Sequence, residues 1–524
     1  MELRRRDMVK LGIFGTAALA VPMERVAASG KAASRIAASR LPKPYTTPFV
    51  EPPVLQPVHQ SATTDFYTVQ MRSAFLEIIP GLRTQFLTYN GTVPGPTVRV
   101  TRGRQVAMRQ VNNLPPRHPT RGYPLHTSLH LHGNANRPQY DGYADDLIRP
   151  GQYKDYQFPN GQPARTLWYH DHAVHHTAEN VYSGLAALYE TFDPLEQRLP
   201  LPAGRYDIPL VVRDALFTAQ GQLAYDDDGQ KGVYGDVILV NGRPWPVMKV
   251  ERRKYRFRLL NGSVSRNYRW ALSTGDPFTV IATDSGLMPA PQRVTSMRHA
   301  VAERYEIVID FAKYRVGQRV ELRNLGVKNS RDYDNTGRIV AFDVASDPTS
   351  LAGNAVPDVL EPNAPVMALR PTPGMRTRRF EFERHGGEWT INRTTWADVI
   401  KSGHRLTLAN PGLGDTEIWE FANTHGGWNH PVHVHLIDFK ILDRNGRPPF
   451  AYEIGPKDTV YLGENETVRV ITRFGPHQGK YMMHCHNSVH EDHDMMAQFQ
   501  VGPPGTGDDP FSAPPRNLPA PAQF

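Results

Sequence analysis

Ten of the 21 histidines fall in four short windows. These are His130-Leu131-His132-Gly133, Trp168-Tyr169-His170-Asp171-His172, His430-Pro431-Val432-His433-Val434-His435, and His484-Cys485-His486 continuing to His490 and Met495. The repeated unit is His-x-His. On a β-strand, side chains alternate between faces, so residues i and i+2 share one. Each window therefore points two imidazoles the same way. One such pair is weak evidence; four pairs give eight imidazoles able to converge, and imidazole suits copper, zinc, iron and nickel.

Cys485 is the only cysteine. It has no partner for an internal disulfide, and a lone thiol is more often an inert small hydrophobe than a working group. Its neighbours reverse that reading. On a strand Cys485 faces away from His484 and His486, and His490 and Met495 follow five and ten residues on. His430 lies three residues before His433, an odd offset that turns it away from the His433/His435 pair. Two imidazoles, one thiolate and a weak thioether make a blue-copper set. Structural zinc prefers more thiolates and no thioether. Cys485 is thus read as a ligand. Its sulfur would face one metal while its chain neighbours face others, a short through-bond path for an electron.

The rest of the chain supports strands. The 46 prolines and 42 glycines imply many turns, which favours a β-rich architecture. Phe86–Tyr89 precedes Asn90-Gly91, and Thr97–Val100 alternates strictly. A length of 524 residues suits about three domains. The expected organisation is an export leader over 1–40, a first β-block over 45–195, a second over 203–347, a Pro-rich connector over 348–375, a third block over 376–502, and a loose or surface-draped tail over 503–524. Three β-sandwiches in series are the simplest account.

The leader carries Arg4-Arg5-Arg6-Asp7-Met8-Val9-Lys10, an apolar run from Leu11 to Val21, and small residues near Ala27-Ala28-Ser29. The run is too short to span a bilayer. The arrangement resembles a twin-arginine export signal, which places the mature protein in the periplasm or outside the cell. Residues 1–40 hold eight Lys/Arg and three Asp/Glu, so most of the formal charge of +8 sits there. No nucleic-acid surface is read from the pI, and no later segment reads as a membrane span.

The four windows, in this order, resemble the multicopper oxidases. The likeness covers nearly all of the chain after the leader. Gly427-Trp428-Asn429-His430 and the stretch from His484 to Met496 look like the bilirubin oxidases and are similar to the bacterial spore-coat laccases. The resemblance implies an all-β chain of three consecutive cupredoxin-like Greek-key sandwiches and four copper ions. Type 1 copper would take His430, Cys485, His490 and Met495. Type 2 would take His130 and His433. One type 3 copper would take His132, His170 and His486, and its partner His172, His435 and His484, although spacing alone does not divide these six. The first and third domains would clamp the cluster, and the middle one would bind no copper. Asp141 and Glu491 match family carboxylates that deliver protons; the rival reading is a turn carboxylate, serious for Asp141 because Asp-Gly is a common turn pair. Trp428 would border the donor site, with plain packing as the alternative.

The implied activity is one-electron oxidation of a small phenolic, aminophenolic or tetrapyrrole donor, coupled to reduction of O2 to water. An exported Cu(I) or Mn(II) oxidase serving copper tolerance is the alternative; no Met-rich insertion supports it. A copper nitrite reductase would not need four His pairs. A copper-free envelope relative would lack several of these ligands. His175, His176, His425 and His493 are assigned no ligand role. Three domains are compatible with a monomer.

Overall fold

The computed structural model describes residues 36–361 and 363–524. The export signal read around Arg4–Val21 lies outside them. The described chain folds into three β-sandwiches, each a pair of facing sheets. Among the described residues no helix is long and apolar enough to cross a membrane.

In the first sandwich a four-stranded sheet holds β1 (Leu129–His132) against β2 (Arg165–Asp171). It faces a sheet built on the strands Thr64–Glu77 and Gln105–Asn112. Val69, Met71, Leu131, Leu167 and Tyr169 fill the space between them. The middle sandwich pairs a six-stranded with an eight-stranded sheet, and β3 (Arg304–Asp310) lies in the larger. In the third sandwich β4 (His430–Val434) lies between β5 (Thr459–Leu462) and β6 (Gly479–Cys485). Two short helices, α1 (Thr177–Ser183) and α2 (Ser488–Asp492), follow β2 and β6. They pack together across the junction of the first and third sandwiches.

The strands form where side chains alternate between a core and an opposite face. Tyr255, Phe257 and Leu259 enter the middle core. Alternation would send Arg256 and Arg258 to solvent, yet they are 4% and 1% exposed. The first sandwich covers that face. There the guanidiniums meet Glu306, Glu196 and Asp207, with Arg258 Nη2 2.7 Å from Asp207 Oδ2. Pairing of this kind makes burial of the charges tolerable.

Two chain ends cross between sandwiches. Thr47–Pro48 pairs in parallel with Pro246–Val247, so this segment joins the sheet of the middle sandwich. At the other end the tail is draped on the first sandwich, the second of the two expected arrangements. Arg516–Asn517 pairs with Gln152–Tyr153 of the first sandwich, and Arg109 donates to the carbonyls of Pro521 and Gln523. The Phe524 ring lies under the Arg109 guanidinium, 4.3 Å from it. The backbone and side-chain donors of the first sandwich thus hold a Pro-rich segment that has little core of its own.

Candidate metal centre

The four windows lie on strands, and their register brings them together. His130 pairs with His170 across β1 and β2, and His433 pairs with His484 across β4 and β6. The two sheets present these faces to each other. Rings of the first sandwich stack on rings of the third: His130 on His435 with centroids 3.9 Å apart, and His132 on His433 at 3.6 Å. His172 meets His484 at 4.9 Å. His486 stands 5.1 Å from His132 and 5.2 Å from His170. All eight imidazoles are buried.

The outward nitrogens of six of the eight rings are tied down. His130 Nδ1 donates to the Asp141 carbonyl at 2.6 Å, His170 Nδ1 to the Asp171 carbonyl at 2.8 Å, and His433 Nδ1 to the Asp458 carbonyl at 2.9 Å. His435 Nδ1 donates to Asp141 Oδ2 at 2.7 Å, and His484 Nδ1 lies 3.1 Å from Glu491 Oε2. His132 is turned the other way, with Nε2 3.1 Å from both Asp458 Oδ1 and Thr459 Oγ1. Such bonds set the tautomer and leave the opposite nitrogen as a lone pair.

Those inner nitrogens have no protein partner. His130 Nε2, His170 Nε2, His433 Nε2, His132 Nδ1 and both nitrogens of His486 are buried and unbonded. The Nε2 atoms of His172 and His435 each lie 3.2 Å from that of His484. Lone pairs aimed at one another in a dry interior are costly unless a cation satisfies them. Burial first, and then the crowding of neighbouring imidazoles, with Arg304 beside His132, hold His130, His132, His433, His435 and His486 well below the usual histidine range. Neutral imidazole is the form that binds metal. The donor set therefore fits copper, and three groups of donors lie close enough to share an ion: His130/His132/His170, His130/His433/His435 and His172/His435/His484.

A separate cluster lies across β6. Because Cys485 points away from its two neighbours, Sγ enters the core of the third sandwich. It lies 3.4 Å from His430 Nδ1 and 3.6 Å from His490 Nδ1. Met495 is buried in the same core, and its carbonyl accepts from the Cys485 N–H at 3.1 Å. Burial pushes the Cys485 thiol well up, so a thiolate there needs a cation beside it. Trp389 stacks on the His490 ring at 3.9 Å.

Trp428 is partly buried against this core, edge-on to Trp389 at 5.0 Å and to His490 at 6.0 Å. It lines an open depression of about 460 Å3 with Asn429, Lys231, Asn329, Arg331 and His490. His490 itself is 1% exposed, and its Nε2 lies 3.2 Å from the Lys231 carbonyl.

The two carboxylates contact different rings of the nest, Asp141 those of His130 and His435, Glu491 those of His172 and His484. Asp141 follows a short 3-10 turn, and Gly142, at a φ of +75°, presses against the Leu129 carbonyl where any Cβ would collide. That close approach seats Asp141 on β1. Glu491 sits on α2, between His484 and His172, the latter at 3.6 Å. Burial raises the Asp141 carboxyl well above its usual range. Burial also works to raise Glu491, but His484 and His172 outweigh it and hold it down at about 2.

The histidines given no ligand role lie outside both clusters: His175 by the Asp492 carbonyl, His176 on Glu179, His493 by Asp227, and His425 beside Thr424. Trp389, Asp458, Thr459 and Arg304 are contacts of the site that the windows do not announce. Trp168 stood inside a window and stacks on His170 at 4.0 Å. Nothing in the linear pattern marks the others.

Comparisons with known proteins point to one family. Family models described as multicopper oxidase match residues 71–190, 168–320 and 372–505. A bilirubin oxidase of Albifimbria verrucaria is 43% identical over 483 residues, 87% of this chain and 81% of the relative. A laccase of Bacillus subtilis is 33% identical over 86% of this chain and 97% of its own length. Among solved structures, the McoA multicopper oxidase of Aquifex aeolicus superposes with a TM-score of 0.74 at 30% identity, covering 87% of this chain and all of the other.

Proposed function

The chain belongs to the multicopper oxidase family, and from that premise we propose how its residues divide the work and which donors it oxidises. It is a copper-dependent oxidoreductase with O2 as acceptor, of laccase or bilirubin-oxidase type. Bound copper supplies one-electron oxidation of the donor and the four-electron reduction of O2 to water.

We assign four copper ions. His430, Cys485, His490 and Met495 hold type 1. His130 and His433 hold type 2. His132, His170 and His486 hold one type 3 ion, and His172, His435 and His484 the other. The first sandwich (45–195) and the third (376–502) supply all of these ligands, and the middle one (203–347) supplies none. The observation that carries this reading is the inward set of unpartnered nitrogens opposite outer nitrogens bound to carbonyls and carboxylates.

The backbone supplies the link. Cys485 is bonded through two peptides to His484 and His486, so an electron leaving its sulfur crosses few bonds to reach either ring. The apolar, aromatic shell around Cys485 and His490 keeps reorganisation small. Glu491, in contact with His484 and His172, is placed to pass protons into the nest, and Asp141 to orient His130 and His435 while sharing that task. Exclusion of bulk water by the two packed sandwiches protects the reacting oxygen.

Donors are phenols, aminophenols or tetrapyrroles, by likeness to the bilirubin oxidase and laccases. Trp428 offers a flat face beside His490 on which a planar donor stacks. The mature protein is exported, and three domains allow it to act as a monomer. Oxygen uptake with bilirubin, 2,6-dimethoxyphenol, an o-aminophenol, Mn(II) and Cu(I) tests the donor class. Fast uptake with the organic donors is expected; uptake with the metal ions alone would overturn it in favour of a metal oxidase.

A further inference from the structure

The middle sandwich carries none of the assigned ligands, yet one of its side chains reaches the nest. Arg304 begins β3 and is fully buried. All five of its N–H groups are used. Nε donates to the Thr166 carbonyl at 3.0 Å, in the first sandwich. Nη1 donates to the Ala302 carbonyl at 2.9 Å and Nη2 to the Asp284 carbonyl at 3.1 Å, both in the middle one. The remaining two grip Asp458 of the third sandwich, Nη1 on Oδ1 at 2.9 Å and Nη2 on Oδ2. A single guanidinium thus joins all three sandwiches.

Asp458, like Asp141 and Glu491, touches one imidazole from each side of the nest. Its Oδ1 lies 3.1 Å from His132 Nε2, on β1, and its carbonyl accepts from His433 Nδ1, on β4, at 2.9 Å. Thr459 completes the arm: its hydroxyl donates to Asp458 Oδ1 at 2.9 Å and stands 3.1 Å from His132 Nε2. Asp284 holds the same turn from below, accepting from the backbone N–H of Asp458 and Thr459 at 3.3 and 3.2 Å. Gly133, next to His132, has no room for a Cβ, which would fall 2.6 Å from both Arg304 Nη2 and Asp458 Oδ2. The glycine of the first window is therefore shaped around this ion pair.

His132, His433 and Asp458 also lie close enough together to suggest a further metal site. Arg304 excludes it, because both carboxylate oxygens already bind a permanent cation.

We propose that Arg304 is a positioning residue for the copper nest: it fixes Asp458, and through it the relative angle of His132 and His433. The inference rests on the assignment of His433 to type 2 copper and His132 to a type 3 ion. The planar, five-donor fork is what the site uses, and lysine, with one point of attachment, does not replace it.

The test compares copper-loaded parent, Arg304→Lys, Arg304→Met and Thr459→Val. Parent must first show both type 1 and type 2 signals by electron paramagnetic resonance; their absence would count against the ligand assignment itself rather than against Arg304. In both Arg304 variants the type 2 hyperfine splitting is expected to shift and type 2 copper to bind about 10- to 100-fold more weakly in chelator competition. The visible absorption of the copper–thiolate site stays at its parental intensity. Lysine keeps the charge, so failure of lysine to rescue marks the fork and not the charge as the requirement. Thr459→Val keeps the ion pair and is expected to fold; it should move the type 2 signal in the same sense by less, and it carries the test if the Arg304 variants do not fold. A parental type 2 signal and parental chelator resistance in folded Arg304→Lys, or a parental signal in Thr459→Val, would overturn the proposal.

Discussion

The two clusters on either side of β6 use the same kind of ligand, imidazole, in opposite surroundings. His430 and His490 sit among Trp389, Phe382 and Trp428, and His490 Nε2 lies 3.2 Å from the Lys231 carbonyl and 3.0 Å from Asn487 Nδ2. Seven of the eight imidazoles of the nest are instead backed by polar groups: the carboxylates of Asp141, Asp458 and Glu491, and backbone carbonyls. The apolar shell suits a centre that only gains and loses an electron. The polar shell suits one that must also take up protons and hold charged oxygen species. One strand, by alternation alone, serves both.

That contrast can be broken from the metal downward. Stripping copper with a chelator should abolish O2 uptake, and return of copper should restore it. The apo-protein should also melt earlier, since a site held 100-fold above its dissociation constant contributes about 2.7 kcal/mol to the folded state. Equal melting temperatures of apo and loaded protein would mean that the inner nitrogens are not waiting for a cation.

On the polar side, Glu491→Gln keeps shape and removes the proton carrier. Turnover should fall about 10²- to 10⁴-fold, while the visible absorption of the thiolate site stays unchanged. An equal loss of absorption would show that the two clusters are not separable. Asp141→Asn weakens a charge-assisted bond to His435, about 1.5–3 kcal/mol, so copper in the nest should be lost roughly 10- to 100-fold more readily in a chelator time course. On the apolar side, Trp428→Ala should raise KM for a planar donor about two- to tenfold, the worth of one aromatic contact. The type 2 signal should not move, and a shift there would place Trp428 in the wrong cluster.

Much of this division is visible in the linear chain. His-x-His on a strand puts two rings on one face, and the residue between them on the other, so the windows show both which imidazoles can meet and why Cys485 must part from them. The three-sandwich architecture follows from turn-rich, alternating segments. The groups behind the rings do not show. Asp458 stands in Lys457-Asp458-Thr459, which reads as a polar turn before β5, and Arg304 is one arginine of 60 Lys/Arg. Their roles arise from packing between sandwiches more than 130 residues apart in sequence, with Arg304 and Asp458 separated by 154 positions. Arg256 and Arg258 escape notice for the same reason: alternation shows that they leave the core, and only the neighbouring sandwich turns that outer face into an interior. The tail reads only as loose or surface-draped because its Pro-rich sequence carries no pattern of its own; its partners, Arg109 and the edge strand at Gln152, belong to the first sandwich.

The separation of electron entry from oxygen reduction is tested most directly with Cys485→Ser, loaded with copper. Given an organic donor, this variant should show neither the thiolate absorption nor O2 uptake. Reduced beforehand with dithionite, freed of excess reductant and then mixed with O2, it should still consume O2 in a single turnover, because the nest is intact. Sustained uptake with the organic donor in this variant would contradict the account, since electrons would then reach the nest without passing through Cys485.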